Sequence, residues 1–182
     1  MGRKVLESSL SGAAPTSDQS LGLIGPGSFA SRILVPAFVE AGVSLELVGG
    51  GGASVEAAQR RLGFKRVAQS AIDVCKDQSV EIVALSSRHG SHAELTKAAL
   101  DAGKHVFCEK PVATDSPGVR SVMESVKAAK EKNLALVSGF CWRYDLARRA
   151  FYAKVHEGAL GDIRAIYATY YTGPVKPMPP SS

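Results

Sequence analysis

The sequence is poor in cysteine and in aromatic residues, and it has no long hydrophobic run. Only three cysteines, Cys75, Cys108 and Cys141, occur among 182 residues. Their number is odd and their spacing wide, so neither a disulfide framework nor a zinc ligand set is indicated. Reduced, mostly buried thiols in a cytoplasmic protein are the expectation. No apolar stretch is long enough to span a bilayer, so no membrane partner is expected. Residues 1–20 begin basic but lack the apolar segment of a signal peptide. Rich in Ser, Gly, Ala and Pro, residues 1–19 are expected to form a mobile tail, or else a linker from an upstream domain. Aromatics make up 7% of the chain, and part of the +5 net charge sits in RRLGFKR, from Arg60 to Arg66. Nucleic-acid binding calls for a wider basic face with stacking rings, so no nucleic-acid partner is expected.

What is present suffices for a core. With 45% hydrophobic and 21% charged residues, the chain can build one full domain and part of a second. Leu21–Gly25, Ser44–Val48, Val80–Leu85, His105–Cys108 and Leu134–Ser138 read as strands, with a short extended piece at Phe64–Val67. Helical stretches fall between them: Ser28–Ala41, kinked at Pro36, then Ser54–Leu62, Ala71–Lys76, Ser91–Ala102 and Val119–Lys132. The last carries Val119, Val122, Met123 and Val126 on one apolar face. Alternating strands and helices over residues 20–138 predict an α/β fold, a Rossmann-type doubly wound parallel sheet. From residue 139 the character changes. Asp145–Glu157 reads as an amphipathic helix, Gly158 and Gly161 bracket a turn, and Asp162–Thr172 is a long β-rich run with no strand after it. Residues 139–182 are therefore expected to be the start of an α+β substrate domain, cut off as it begins.

In a doubly wound sheet, ligands bind beyond the carboxyl ends of the strands. Three segments lie there: LGLIGPGSFASR, SSRHGS and CEKP. In the first, the spacing Gly25-x-Gly27-x-x-Ala30 fits a turn that cradles a pyrophosphate. One glycine allows the bend, the second lets phosphate approach the main chain, and a small third residue lets the helix lie close to the sheet. Free N–H groups at the helix start, on Ser28, Phe29 and Ala30, would hold the anion. His89 and His92 have a His-x-x-His spacing, but no carboxylate or cysteine is set to complete a metal site, so no metal is expected. An NAD site usually carries an Asp or Glu about twenty residues beyond the glycine turn. Here Gly50, Gly51 and Gly52 stand in that place, and Glu46 falls too early, within the strand. Without that carboxylate a 2′-phosphate is not repelled, and Ser54, Arg60 and Arg61 can meet it. The alternative is that Arg60 and Arg61 form a solvated helix face. The cofactor is read as NAD or NADP, with a lean to NADP.

GLIGPGSFA, GSHAELTKAALDAGKHVFCEKPVATD and GFCWRYDLARRAFYAKVHEGALGDIRA together resemble the Gfo/Idh/MocA oxidoreductases, relatives of glucose–fructose oxidoreductase and inositol dehydrogenase. The resemblance runs from about Leu21 to Gly173, and Glu109-Lys110-Pro111 after the AGKHV lead-in is its most specific part. Residues 49–64 and 87–94 are similar to one branch of the family and residues 141–180 to another. The resemblance implies an NAD(P)-dependent oxidoreductase that moves hydride to or from a secondary alcohol of a sugar or cyclitol.

In that chemistry Lys110 would hydrogen-bond the substrate oxygen and stabilise its developing charge from a partly buried position, and Glu109 would orient it. A solvated surface lysine is the alternative. The resemblance also implies a cis peptide before Pro111. His92 would line the nicotinamide side of the cleft or cap its helix, with a structural hydrogen bond as the alternative. Ser86 and Ser87 would contact the cofactor. Arg143 and Tyr144 are substrate-contact candidates or packing residues, and Trp142 belongs to packing. Related enzymes carry their main acid/base histidine on a part this sequence does not contain, so nucleotide binding with little turnover is expected. A homo-oligomer is possible in a full-length form. Rival readings are a non-catalytic nucleotide-binding module, an interaction subunit docking through Asp162–Thr172, and an incomplete reading frame.

Overall fold

The computed structural model describes residues 19–50 and 54–173. The expected N-terminal tail, Gly51 and Gly52, and the terminal PVKPMPPSS lie outside the described residues, apart from Gln19. The chain divides into two compact units, parting between Phe140 and Cys141.

The first unit is a six-stranded sheet. Its strands are β1 (Ser20–Ile24), β2 (Ser44–Gly49), β3 (Arg66–Val67), β4 (Ile82–Leu85), β5 (His105–Cys108) and β6 (Leu136–Ser138). The order is β3-β2-β1-β4-β5-β6 and all pairs are parallel. The order reverses between β1 and β4, which is the switch point of a doubly wound sheet. The connecting helices are α1 (Val35–Glu40), α2 (Ser54–Leu62), α3 (Ala71–Lys76), α4 (His92–Asp101) and α5 (Ser116–Glu131).

Both faces of the sheet are buried, as a parallel sheet requires. Side chains alternate between the faces. Leu21, Leu23 and Ala84 join Leu34, Val35, Val55 and Phe64 in one core. Ile24, Val83 and Leu85 join Val74, Leu95, Leu100 and Val106 in the other. The β1–β2 register shifts between Leu21 and Gly22, where Leu45 and Leu47 become successive partners. That slip sends Leu47 to the second core while Leu45 packs on the first.

Two expectations are corrected within this unit. The irregularity at Pro36 takes the form of a π turn, Ala30–Leu34, just upstream. There the Val35 N–H donates to the Ala30 carbonyl, five residues back. Proline lacks an N–H and its ring crowds the preceding turn, so the wider turn accommodates it at the start of α1. On α5 the buried stripe is Val122, Ser125 and Ala129. Val119 and Met123, expected to be buried, are 42% and 59% exposed. α5 packs against α4, and small residues allow that close approach where the larger Val119 and Met123 do not take part.

The second unit holds a 3₁₀ turn, Cys141–Tyr144, and α6 (Leu146–His156), whose N-cap Asp145 accepts from the Arg148 N–H. The Trp142 ring carries the Arg148 guanidinium 3.9 Å above it and tilts against Tyr170. Gly158 and Gly161 both have positive φ and close a turn, the Gly161 N–H donating to the Gly158 carbonyl. The strand expected over Asp162–Thr172 does not form: residues 163–173 have no regular structure. A β-rich sequence forms a strand only against a partner, and the described residues of this unit contain none.

Candidate functional site

Parallel registration brings three strand ends level. Ile24, Leu85 and Cys108 are paired across β1, β4 and β5. The ladder continues one residue past them, with the Ser86 N–H donating to the Ile24 carbonyl and the Glu109 N–H to the Leu85 carbonyl, both at 2.9 Å. Gly25, Ser86 and Glu109 therefore begin three loops on one sheet edge. At about 4.8 Å per strand, the first and last of these loops start roughly 10 Å apart.

The glycine turn is built as its spacing predicts. Gly25 has φ +85° and donates to the Gly49 carbonyl at 3.0 Å. A Cβ at Gly25 would lie 2.6 Å from the Ser87 nitrogen, so only glycine fits. The Gly27 N–H is engaged, closing a tight turn about Pro26 onto the Gly25 carbonyl at 2.8 Å. The first turn-to-helix bond runs from the Ser31 N–H to the Gly27 carbonyl. The amides of Ser28, Phe29 and Ala30 precede it at the helix start, where donors are left without intrahelical partners. The amides of Gly25 and Gly27 are thus both engaged by main-chain carbonyls. No heavy atom lies within 4 Å of a Cβ built on Gly27, so the space beside the turn is open to a ligand. Ser28 and Phe29 are exposed, whereas Ala30 is fully buried against the sheet.

A cleft of about 1160 Å³ opens here. Its walls include Gly25, Gly27, Gly50, Ser86 and Ser87. His89 also lines it, as do Ser70, Ile72, Glu94 and Leu95, which were not singled out from the sequence. Ser70 was legible: S-A-I-D is a capping sequence, and Ser70 and Asp73 form a reciprocal capping box on α3. Ile72 and Leu95 gave no such signal, being apolar residues on helices that also serve the core.

Of the glycine run after β2, Gly50 is described. Gly50 lines the cleft with φ +138°, and a Cβ there would come within 3.3 Å of the Gly25 nitrogen. Glu46 lies inside β2, where its carboxylate meets Lys65 at 2.8 Å and Arg66 at 3.2 Å. Hydrogen bonding to Lys65, opposed by partial burial, holds Glu46 below the usual carboxylate range. Arg61 donates to the Ser31 hydroxyl at 3.1 Å, reaching the helix that follows the glycine turn. Arg60 is exposed on α2, and Ser54 opens that helix.

On the β5 side, the Glu109 carboxylate accepts the Lys110 N–H at 3.2 Å. It occupies the space over Gly139, where a Cβ would approach it to 2.7 Å. The Lys110–Pro111 peptide is cis. Lys110, one residue past the β5 ladder, is exposed instead of partly buried. His92 is 1% exposed, with Nδ1 2.7 Å from the Pro111 carbonyl and Nε2 3.1 Å from the Ser87 carbonyl. Its ring thus makes structural contacts to main chain and is enclosed behind the cleft wall. Arg143 and Tyr144, both exposed, sit in the 3₁₀ turn of the second unit.

The thiols divide as their surroundings dictate. Burial pushes Cys75 up to about 11 and raises Cys108 as well, while Cys141 is exposed. No helix of the described residues is long and apolar enough to cross a membrane.

The proteins this chain is similar to include dehydrogenases and a reductase. The inositol 2-dehydrogenase of Gluconacetobacter diazotrophicus is 34% identical over 111 residues, covering 61% of this chain and 32% of that protein. Among solved structures, the scyllo-inositol dehydrogenase of Lactobacillus casei with NAD(H) and scyllo-inositol matches at TM-score 0.69 and 25% identity, over 79% of this chain and 42% of that one. A 3-ketoreductase of Actinomadura kijaniata with NADP and TDP-benzene matches at TM-score 0.67 and 26% identity, over 80% and 44%. The chain thus spans about a third of the curated relative and under half of each solved one. The model of the oxidoreductase family with an NAD-binding Rossmann fold matches residues 20–140. Two-thirds of the sequence, including the glycine turn and the Glu109–Lys110–Pro111 segment, falls within that match, and the chain belongs to the Gfo/Idh/MocA oxidoreductase family.

Proposed function

We propose that this chain is the nucleotide-binding part of an NAD(P)-dependent oxidoreductase acting on a secondary alcohol of a sugar or cyclitol. The observation that carries this reading is the shared sheet edge of the Gly25 turn and the Glu109–Lys110 loop, held level by the β1–β4–β5 register. The open space at Gly27 and the amides of exposed Ser28 and Phe29 fit a diphosphate, with buried Ala30 letting the helix lie close to the sheet. When bound, the nicotinamide supplies hydride transfer. The chain's own residues bind and orient: Ser86 and Ser87 wall the cleft, and Lys110 offers an ammonium to the substrate oxygen while Glu109 fixes the backbone beneath it. Arg143 and Tyr144 are the proposed substrate contacts beyond residue 140. NADP is the preferred cofactor, because Gly50 supplies no carboxylate against a 2′-phosphate and Arg60, Arg61 and Ser54 stand on the following helix.

Titration with NADH and NADPH, followed by nicotinamide fluorescence, tests the reading. Both should bind, NADPH more tightly, and Arg60→Ala with Arg61→Ala should erase that preference. Tighter NADH binding would refute the NADP assignment, and no binding of either would refute the oxidoreductase reading. Little turnover of inositol or glucose is expected from this chain, and brisk reduction of NAD(P)⁺ would overturn that part.

A second reading has its own observation. Tyr167 and Tyr171 are 96% and 91% exposed on an extended segment with no strand partner. Such a segment can add to the sheet edge of another copy, giving a homo-oligomer. A monomer by sedimentation at high concentration would exclude it.

A further inference from the structure

We propose that His92 is a positioning residue: its buried imidazole clasps the loops after β4 and β5 and thereby sets Lys110 relative to the nucleotide cleft. This rests on the reading of the cleft as a dinucleotide site. The ring is 1% exposed and lies between two main-chain oxygens, with Nδ1 2.7 Å from the Pro111 carbonyl and Nε2 3.1 Å from the Ser87 carbonyl. A carbonyl only accepts, so the neutral ring, with one N–H, donates to one of the two carbonyls and packs against the other, and only the doubly protonated ring donates to both.

The two clasped residues are not arbitrary. Ser87 lines the cleft, its nitrogen stands against the Gly25 turn, and its hydroxyl shares a hydrogen bond with Ser91 at 2.8 Å. Pro111 directly follows Lys110. Through space the connection therefore runs from the glycine turn to Ser87, through the imidazole to Pro111, and so to Lys110. Glu109 holds the amide of Lys110 from the other side. Lys110 is exposed and has no hydrogen bond from its own ammonium among those described. Its placement depends on these neighbours, and His92 is the only side chain described that bridges both loops.

The test compares the wild-type chain with His92→Phe, which keeps the ring and loses both polar contacts, and His92→Gln, which retains an amide donor. Each is titrated with NADH and with ADP-ribose, which lacks the nicotinamide. If the clasp orders the loops around the nicotinamide half, His92→Phe should bind NADH about tenfold more weakly and ADP-ribose within about twofold, with His92→Gln in between. A residue that merely fills the core would weaken both ligands alike, and that result, or no change in either, overturns the proposal. Amide NMR of the ligand-free chain gives a readout independent of the cofactor. Resonances of Ser87 and Lys110 should shift or broaden together in His92→Phe while Leu47 and Val48 on β2 stay put. Unmoved Ser87 and Lys110 signals would also overturn the clasp. Should His92→Phe fail to fold, His92→Gln carries both measurements with the same criteria. Should the wild-type chain bind no NADH, the dinucleotide reading falls, and the clasp is decided by the amide spectra.

Discussion

Gly25 and Gly27 are two residues apart yet do opposite work. Gly25 is required by the fold: its φ of +85° and the Ser87 backbone 2.6 Å from a Cβ leave no room for a side chain. The fold leaves open space at the Cβ position of Gly27, so the demand for glycine there would come from the proposed nucleotide. Gly25→Ala should therefore lower stability by about 1–3 kcal/mol and weaken nucleotide binding as well. Gly27→Val should leave stability within about 0.5 kcal/mol of wild type and still abolish most NADH binding. Urea unfolding paired with fluorescence titration distinguishes the two. The sequence pattern marked both glycines, but the division of labour was not legible in it, because it depends on where Ser87 arrives from a distant strand. The same holds for Gly139. The Glu109 carboxylate lies over it, a neighbour no local pattern shows, and as the end of a flexible side chain it can give way.

At the level of elements, most strands and helices were legible because each strand is a short apolar run ended by glycine or a polar turn. Ala71–Lys76 and Ser54–Leu62 fall where periodicity and their end signals put them. The exceptions have physical causes. The π turn before Pro36 depends on proline crowding that a pattern registers only as a kink. The slip beside Glu46 depends on both neighbours of β2, and a one-residue slip is invisible to alternation read along one strand.

The edge strand β3 is tied in by charge. Arg66 pairs with Glu46 at 3.2 Å and forks onto both oxygens of Asp77, at 3.0 and 2.9 Å. Hydrogen bonds from Arg66 and Ser79 hold Asp77 far below the usual carboxylate range. Because the folded-state values of Asp77 and Glu46 are depressed, their contribution is present above their unfolded values, about pH 4. It is lost as pH falls through the folded values. The denaturation midpoint should thus drop on acidification below about pH 4. Asp77→Asn should flatten that dependence, as read from urea midpoints at neutral and acid pH.

For the molecule as a whole, the doubly wound order was legible from the alternation of elements alone. The second unit was not, since its β-rich run needs a partner that the described residues do not supply. Exposed, irregular backbone is the preferred substrate of proteases. Brief chymotrypsin treatment should therefore cut first after Tyr167, Tyr170 or Tyr171, all at least 72% exposed, and spare the sheet. Mass spectrometry of the early fragments checks this, and first cuts inside residues 20–140 would contradict it.

Val74 of α3 sits in hollows left by Gly22 and Gly49: a Cβ on either glycine would meet its methyl groups, at 2.6 and 2.5 Å. Gly49 is also the residue whose carbonyl anchors Gly25. One aliphatic side chain in the interior thus underpins the mouth of the cleft from below. Whittling it to alanine would loosen the glycine turn without altering any residue of the proposed nucleotide site, so ligand grip becomes a gauge of interior packing.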